Sequence, residues 1–67
     1  MKNKLKVLRA ERDWTQQQLA IELDVARQTI IAIEKGKFDP GLALTFRMSK
    51  LFGMPIEEIF DPEDTNS

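Results

Sequence analysis

Apolar residues in this chain of 67 residues recur three and four apart in nearly every segment. Leu5 and Leu8, Leu19 and Leu23, and Ile30 and Ile33 each pair up on one side of a helix. No useful stretch alternates with period two, and no hairpin dipeptide occurs. The pattern predicts an all-α fold of five short helices. The first covers about residues 3–12, with Asn3 as its cap and Leu5, Leu8 and Arg9 along one stripe. The second opens at Thr15, where Thr15-Gln16-Gln17-Gln18 reads as a capping box, and buries Leu19, Ala20 and Leu23. Asp24 occupies the turn. The third covers about residues 27–35 and is closed by Gly36. Asp39-Pro40-Gly41 breaks the chain. The fourth covers 42–52 and stops at Gly53. The last covers 56–60, opened by Pro55. Residues 61–67 are polar and read as a frayed end. One domain over residues 1–67 is expected, with an ordered core of about 3–60.

The second and third helices give the most specific signal. A tight turn joins them, Ala20 is small enough to let them approach, and Val25 plugs the turn. Ile30 and Ile33 anchor the third helix, which leaves Arg27, Gln28, Thr29, Ile31, Ala32 and Lys35 pointing away from the core. A helix so displayed can enter the major groove of double-stranded DNA with its N-terminal residues against the base edges. Arg27 suits guanine O6 and N7, and Gln28 suits adenine N6 and N7. Ile31 and Ala32 can meet a thymine methyl. Lys35 and Lys37 suit phosphates, and Thr29 is expected to serve the same phosphate and bracing role.

Charge changes this picture only through its distribution. The net charge is −1, but residues 1–50 hold all ten Lys and Arg against six acids. Residues 51–67 hold five acids and no base. A phosphate surface would therefore favour the body and repel the end. Lys2, Lys4 and Lys6 either grip phosphate or form an ordinary solvated face. Trp14 reads as a packing residue ahead of the second helix.

Helix four is apolar at more positions than one stripe can use. Thr45, Met48 and Phe52 suit the core. Leu42, Phe46 and Leu51 then either pack under the last helix with Ile56 and Phe60 or form a dimer patch with them, and the patch is the favoured reading.

The inventory excludes most other chemistry. There is no His, Cys or Tyr. Glu57 and Glu58 are neighbours that diverge on a helix, and the terminal acids lack the spacing of a calcium loop. No enzyme, metal site or cofactor is expected. Neither a signal peptide nor an apolar run able to span a membrane is seen, which fits a cytoplasmic protein.

The strings Leu8-Arg9, Trp14-Thr15-Gln16, Leu19-Ala20, Val25, Arg27-Gln28-Thr29-Ile30, Ile33-Glu34-Lys35-Gly36, Phe52-Gly53 and Ile56-Glu57-Glu58-Ile59-Phe60 stand in order across residues 3–60. Together they resemble the lambda-repressor-like (Xre-type) helix-turn-helix family. The resemblance implies a compact five-helix DNA-binding domain, a homodimer on an inverted repeat, and regulation of transcription, with repression expected by analogy. It also implies that Gln16 touches a phosphate and braces the first recognition residues, that Arg27 and Gln28 read bases with Ala32 at a third reading position, and that Arg9 and Glu34 form a structural pair. The chain departs from the family pattern at Asp24, where Gly is common, and at Ala26, Gly41 and Pro55, where Ser is common. An alternative reading is an antitoxin-like or adaptor module that binds another protein and touches DNA secondarily.

Overall fold

The computed structural model describes residues 1–61. In chain order it holds β1 (Lys2–Asn3), α1 (Leu5–Glu11), α2 (Gln16–Leu23), α3 (Arg27–Glu34), α4 (Leu42–Phe52), α5 (Ile56–Ile59) and β2 (Phe60–Asp61). The five helices lie where the apolar spacing puts them. The two strands correct the all-helical expectation. Lys2 pairs with Asp61 and Asn3 with Phe60, antiparallel. The Lys4 N–H then donates to the Ile59 carbonyl at 2.8 Å. This pairing joins segments nearly sixty residues apart. Residues two long carry no detectable alternation, so the sequence gives no sign of it. It delays α1 to Leu5 and ends α5 before Phe60. Asp61, expected in the frayed end, is in β2. The remainder of that expected end, residues 62–67, lies outside the described residues.

Local side-chain chemistry is clearest at the start of α2. Thr15 sits extended, its hydroxyl accepts from the Gln18 N–H at 3.1 Å, and Gln18 returns a bond to the Thr15 N–H, so the capping box is complete. Asn3 is expected to cap α1, but the N-cap is Lys4, which makes no side-chain cap bond; Asn3 stands one residue before it, and its Oδ1 accepts from the Leu5 N–H at 3.2 Å. Ala26, Gly41 and Pro55 form no side-chain cap.

One device ends the first four helices. Asp13, Asp24, Gly36 and Gly53 each take a left-handed conformation, with φ of 56°, 58°, 74° and 66°. The following N–H turns back on the helix in each case: Trp14 to Arg9, Val25 to Ala20, Lys37 to Ala32 and Met54 to Ser49, at 3.0–3.2 Å. This is the Schellman arrangement. In three of the four, the residue after the turn is apolar and packs on the core: Trp14, Val25 and Met54. The reversal thus satisfies a carbonyl and places a hydrophobic side chain at once.

Leu5, Leu19, Leu23, Ile30, Ile33, Met48 and Ile59 are fully buried. Each such side chain contributes roughly 1.5–3 kcal/mol relative to exposure. Ala20 is also wholly buried, which allows α2 and α3 to cross closely. Thr45 enters the core because its hydroxyl donates to the Gly41 carbonyl at 2.8 Å. Among the described residues no buried side-chain polar atom lacks a partner. At the edge, Trp14 leans on Phe52 with ring centres 6.3 Å apart, and the Arg12 guanidinium lies 4.7 Å over the Phe52 ring.

Candidate nucleic-acid interface

Ile30 and Ile33 lock one side of α3 into the core. The opposite side then faces solvent, and it starts with Arg27 and Gln28, both exposed. Thr29, Ile31 and Ala32 are half-buried, and Lys35 and Lys37 are exposed past the last turn. The predicted readers therefore share one face, with Ile31 and Ala32 at its edge rather than fully displayed.

The helix is held firmly at its far end. Arg9 of α1 donates from Nε to Glu34 Oε2 at 2.9 Å and from Nη2 to Oε1 at 3.2 Å. A third guanidinium nitrogen, Nη1, donates to the Trp14 carbonyl at 3.0 Å. The Arg9 and Glu34 side chains are 16% and 7% exposed, so the ion pair is largely shielded from water. Gln16 donates to Glu34 Oε1 at 3.2 Å. One carboxylate thus ties α1, the start of α2 and the end of α3. This differs from the expectation for Gln16, which was to brace Arg27 and Gln28; its amide goes to the end of α3 instead. Arg9, Thr15, Gln16, Gln17 and Arg27 line an open groove along this side, so Gln16 still stands beside the reading face.

The expected dimer residues divide into two groups. Leu42 and Phe46 are 68% and 54% exposed. Leu51 and Ile56 are half-buried against the core. Phe60 is 5% exposed. Its placement in the dimer patch is corrected: β2 turns it inward, and its ring is spent within the fold. Phe38, which sequence reasoning passed over, is half exposed in the loop before α4. Among the described residues no cluster of His, Cys, Asp or Glu could hold a metal ion, and no helix is long and apolar enough to cross a membrane.

The geometry of α2 and α3 is matched by comparison with known proteins. A family model described as helix-turn-helix matches residues 5–59. This chain belongs to the helix-turn-helix family. Its relatives in that family include an uncharacterized HTH-type transcriptional regulator of Methanocaldococcus jannaschii, 61% identical over 64 residues and covering 96% of this chain and 97% of that protein. YgzD of Bacillus subtilis, also named an uncharacterized HTH-type transcriptional regulator, is 44% identical over 66 residues, covering 98% of this chain and all of that one. The CTXphi transcriptional repressor RstR of Vibrio cholerae is 36% identical over 64 residues, covering 96% of this chain and 58% of RstR. A hypothetical transcription factor from Neisseria shares the fold, with a TM-score of 0.69 at 20% identity, covering 90% of this chain and 70% of that one. The family pattern and the helical architecture expected from the sequence both hold for this helix-turn-helix protein.

Proposed function

We propose that this helix-turn-helix protein binds double-stranded DNA in a sequence-specific way and regulates transcription, as a repressor and as a homodimer on an inverted repeat. The observation that carries the reading is α3 itself: Arg27 and Gln28 stand exposed at its start, while the partly buried Arg9–Glu34–Gln16 network holds its end. A reading helix needs both. Arg27 and Gln28 contact base edges, Ile31 and Ala32 offer methyl contacts, and Thr29, Gln16, Lys35 and Lys37 meet or brace the phosphate backbone. Transcription regulators among its relatives, one of them a phage repressor, support the same assignment. The proposed site of action is the cytoplasm.

The dimer rests on shape and on surface. Two reading helices must stand one DNA turn apart, roughly 34 Å. The protein measures 32 × 23 × 22 Å, so its long dimension is of the same order as that spacing. Leu42 and Phe46, exposed four apart on α4, supply an apolar contact, whereas Leu51 and Ile56 are half-buried against the core.

Selection of bound sites from a random duplex library tests the proposal. Enrichment of an inverted repeat with half-sites about 10 base pairs apart is expected. Failure to enrich any site would overturn DNA reading, and enrichment of unpaired half-sites would overturn the dimer.

A further inference from the structure

We propose that Asn3 is a positioning residue for DNA reading: its amide ties the last turn of α3 to the start of α1, and so sets the angle at which Arg27 and Gln28 meet a duplex. This rests on the DNA-binding reading above.

The amide is used at both ends. Oδ1 accepts from the Leu5 N–H at 3.2 Å, and Nδ2 donates to the Ile33 carbonyl at 2.8 Å, with a longer contact of 3.4 Å to the Met1 carbonyl. These partners fix its orientation, because an N–H requires the oxygen and a carbonyl requires the nitrogen. The Ile33 carbonyl also accepts from the Gly36 N–H at 2.9 Å. Both of its lone pairs are therefore engaged, at the turn where α3 must stop.

Asn3 can act as a strap only if its own backbone is anchored. It pairs with Phe60 in the terminal strands, and the next N–H, of Lys4, donates to the Ile59 carbonyl. Ile59 and Phe60 are buried in the core. The far side of the strap is thus as fixed as the core itself.

The lever explains why this end matters. With eight residues, α3 is roughly 12 Å long. Its start has no side-chain cap, since Ala26 offers no oxygen. The helix is held by Ile30 and Ile33 on its buried side and by Asn3 and Glu34 at its end. A swing of about 5° at the end moves the Arg27 backbone by roughly 1 Å. That is more than a two-pronged contact to a base tolerates.

Asn3→Asp isolates the bond. It keeps an oxygen for Leu5, loses the donor to Ile33, and faces a carboxylate toward the carbonyl end of α3. Asn3→Ala loses both bonds without adding charge. Each variant is measured against the duplex enriched by the wild-type chain and against a shuffled duplex of equal length, at a temperature where circular dichroism shows it folded. Both variants are expected to lose about tenfold on the enriched duplex and less than about threefold on the shuffled one, because misplacement harms base contacts more than phosphate contacts. Amide exchange at Gly36 and Lys37 is expected to quicken at least about tenfold, while exchange in α2 is unchanged. Equal losses on the two duplexes, or unchanged exchange at Gly36 and Lys37, would overturn the proposal. If the wild-type chain enriches no duplex, the DNA reading fails by itself, and the exchange measurement still decides whether Asn3 holds the helix.

Discussion

Arg9 and Glu34 meet side-on, with two parallel N–H···O bonds of 2.9 and 3.2 Å across a separation of 25 residues in sequence. Two-pronged geometry of this kind is the strong form of the arginine–carboxylate pair. Its burial makes the pair asymmetric under mutation, because removing one partner strands the other charge away from water. Arg9→Met or Glu34→Gln should each destabilise the fold by about 3 kcal/mol. The double variant should lose clearly less than the sum. Urea melts of the three variants check this, and strict additivity would mean that the two groups do not couple.

The proposed reading face makes a separate demand. Replacing Arg27 or Gln28 by Ala should weaken the enriched site by roughly 1–3 kcal/mol and relax preference at one base pair per half-site. Lys37→Ala should weaken all duplexes alike and lower the salt dependence, since a phosphate contact carries no base information. All three side chains are exposed, so the melting temperature should hardly move. Titrations on matched and mismatched duplexes separate these outcomes. An Arg27→Ala variant with unchanged affinity and preference would remove α3 as the reader.

Phe46 and Phe60 now part company. Phe46 is half exposed on α4, whereas Phe60, the first residue of β2, is buried. Phe46→Glu should leave the fold intact and shift the proposed homodimer toward monomer in sedimentation. Phe60→Glu should instead unfold the protein, because a carboxylate would have to enter the core unpaired. A folded Phe60→Glu monomer would contradict the packing. A Phe46→Glu dimer as tight as the wild type would place the dimer face elsewhere.

Helix positions were legible because their causes are local. The apolar spacing at Leu19, Leu23, Ile30 and Ile33, the capping box at Thr15, and the stops at Gly36 and Gly53 each depend on residues within a turn of one another. The Arg9–Glu34 pair came from the family pattern, which stores long-range information that periodicity lacks. What escaped notice depends on remote segments meeting. Asn3 reads as an ordinary cap until its amide is found on Ile33. Phe60 reads as the end of an amphipathic helix until Asn3 pairs with it. Arg12 and Phe52 give no sign of their stacking until α1 and α4 are packed. Asp13 was missed for another reason: an aspartate in a left-handed turn looks in sequence like any polar loop residue.

Asp24 was anticipated in that turn, and its φ of 58° shows the conformation that favours glycine. A β-carbon there costs roughly 1–2 kcal/mol, somewhat less for aspartate than for most residues. The carboxylate also sits at the negative end of the α2 dipole. Both effects favour Asp24→Gly. Glycine's greater freedom in the unfolded chain opposes it by roughly 0.4–1 kcal/mol. The expected balance is a gain of about 1 kcal/mol, with DNA affinity little changed, because the backbone already has the shape that glycine would take. Asp13 has the same geometry at the end of α1, with a φ of 56°, so Asp13→Gly should behave alike. The two turns terminate different helices, and their gains should add within about 0.5 kcal/mol. Thermal and urea melts of the two single variants and the pair check this. A variant that melts earlier than the wild type would show that the aspartate side chain contributes more to its turn than the β-carbon costs.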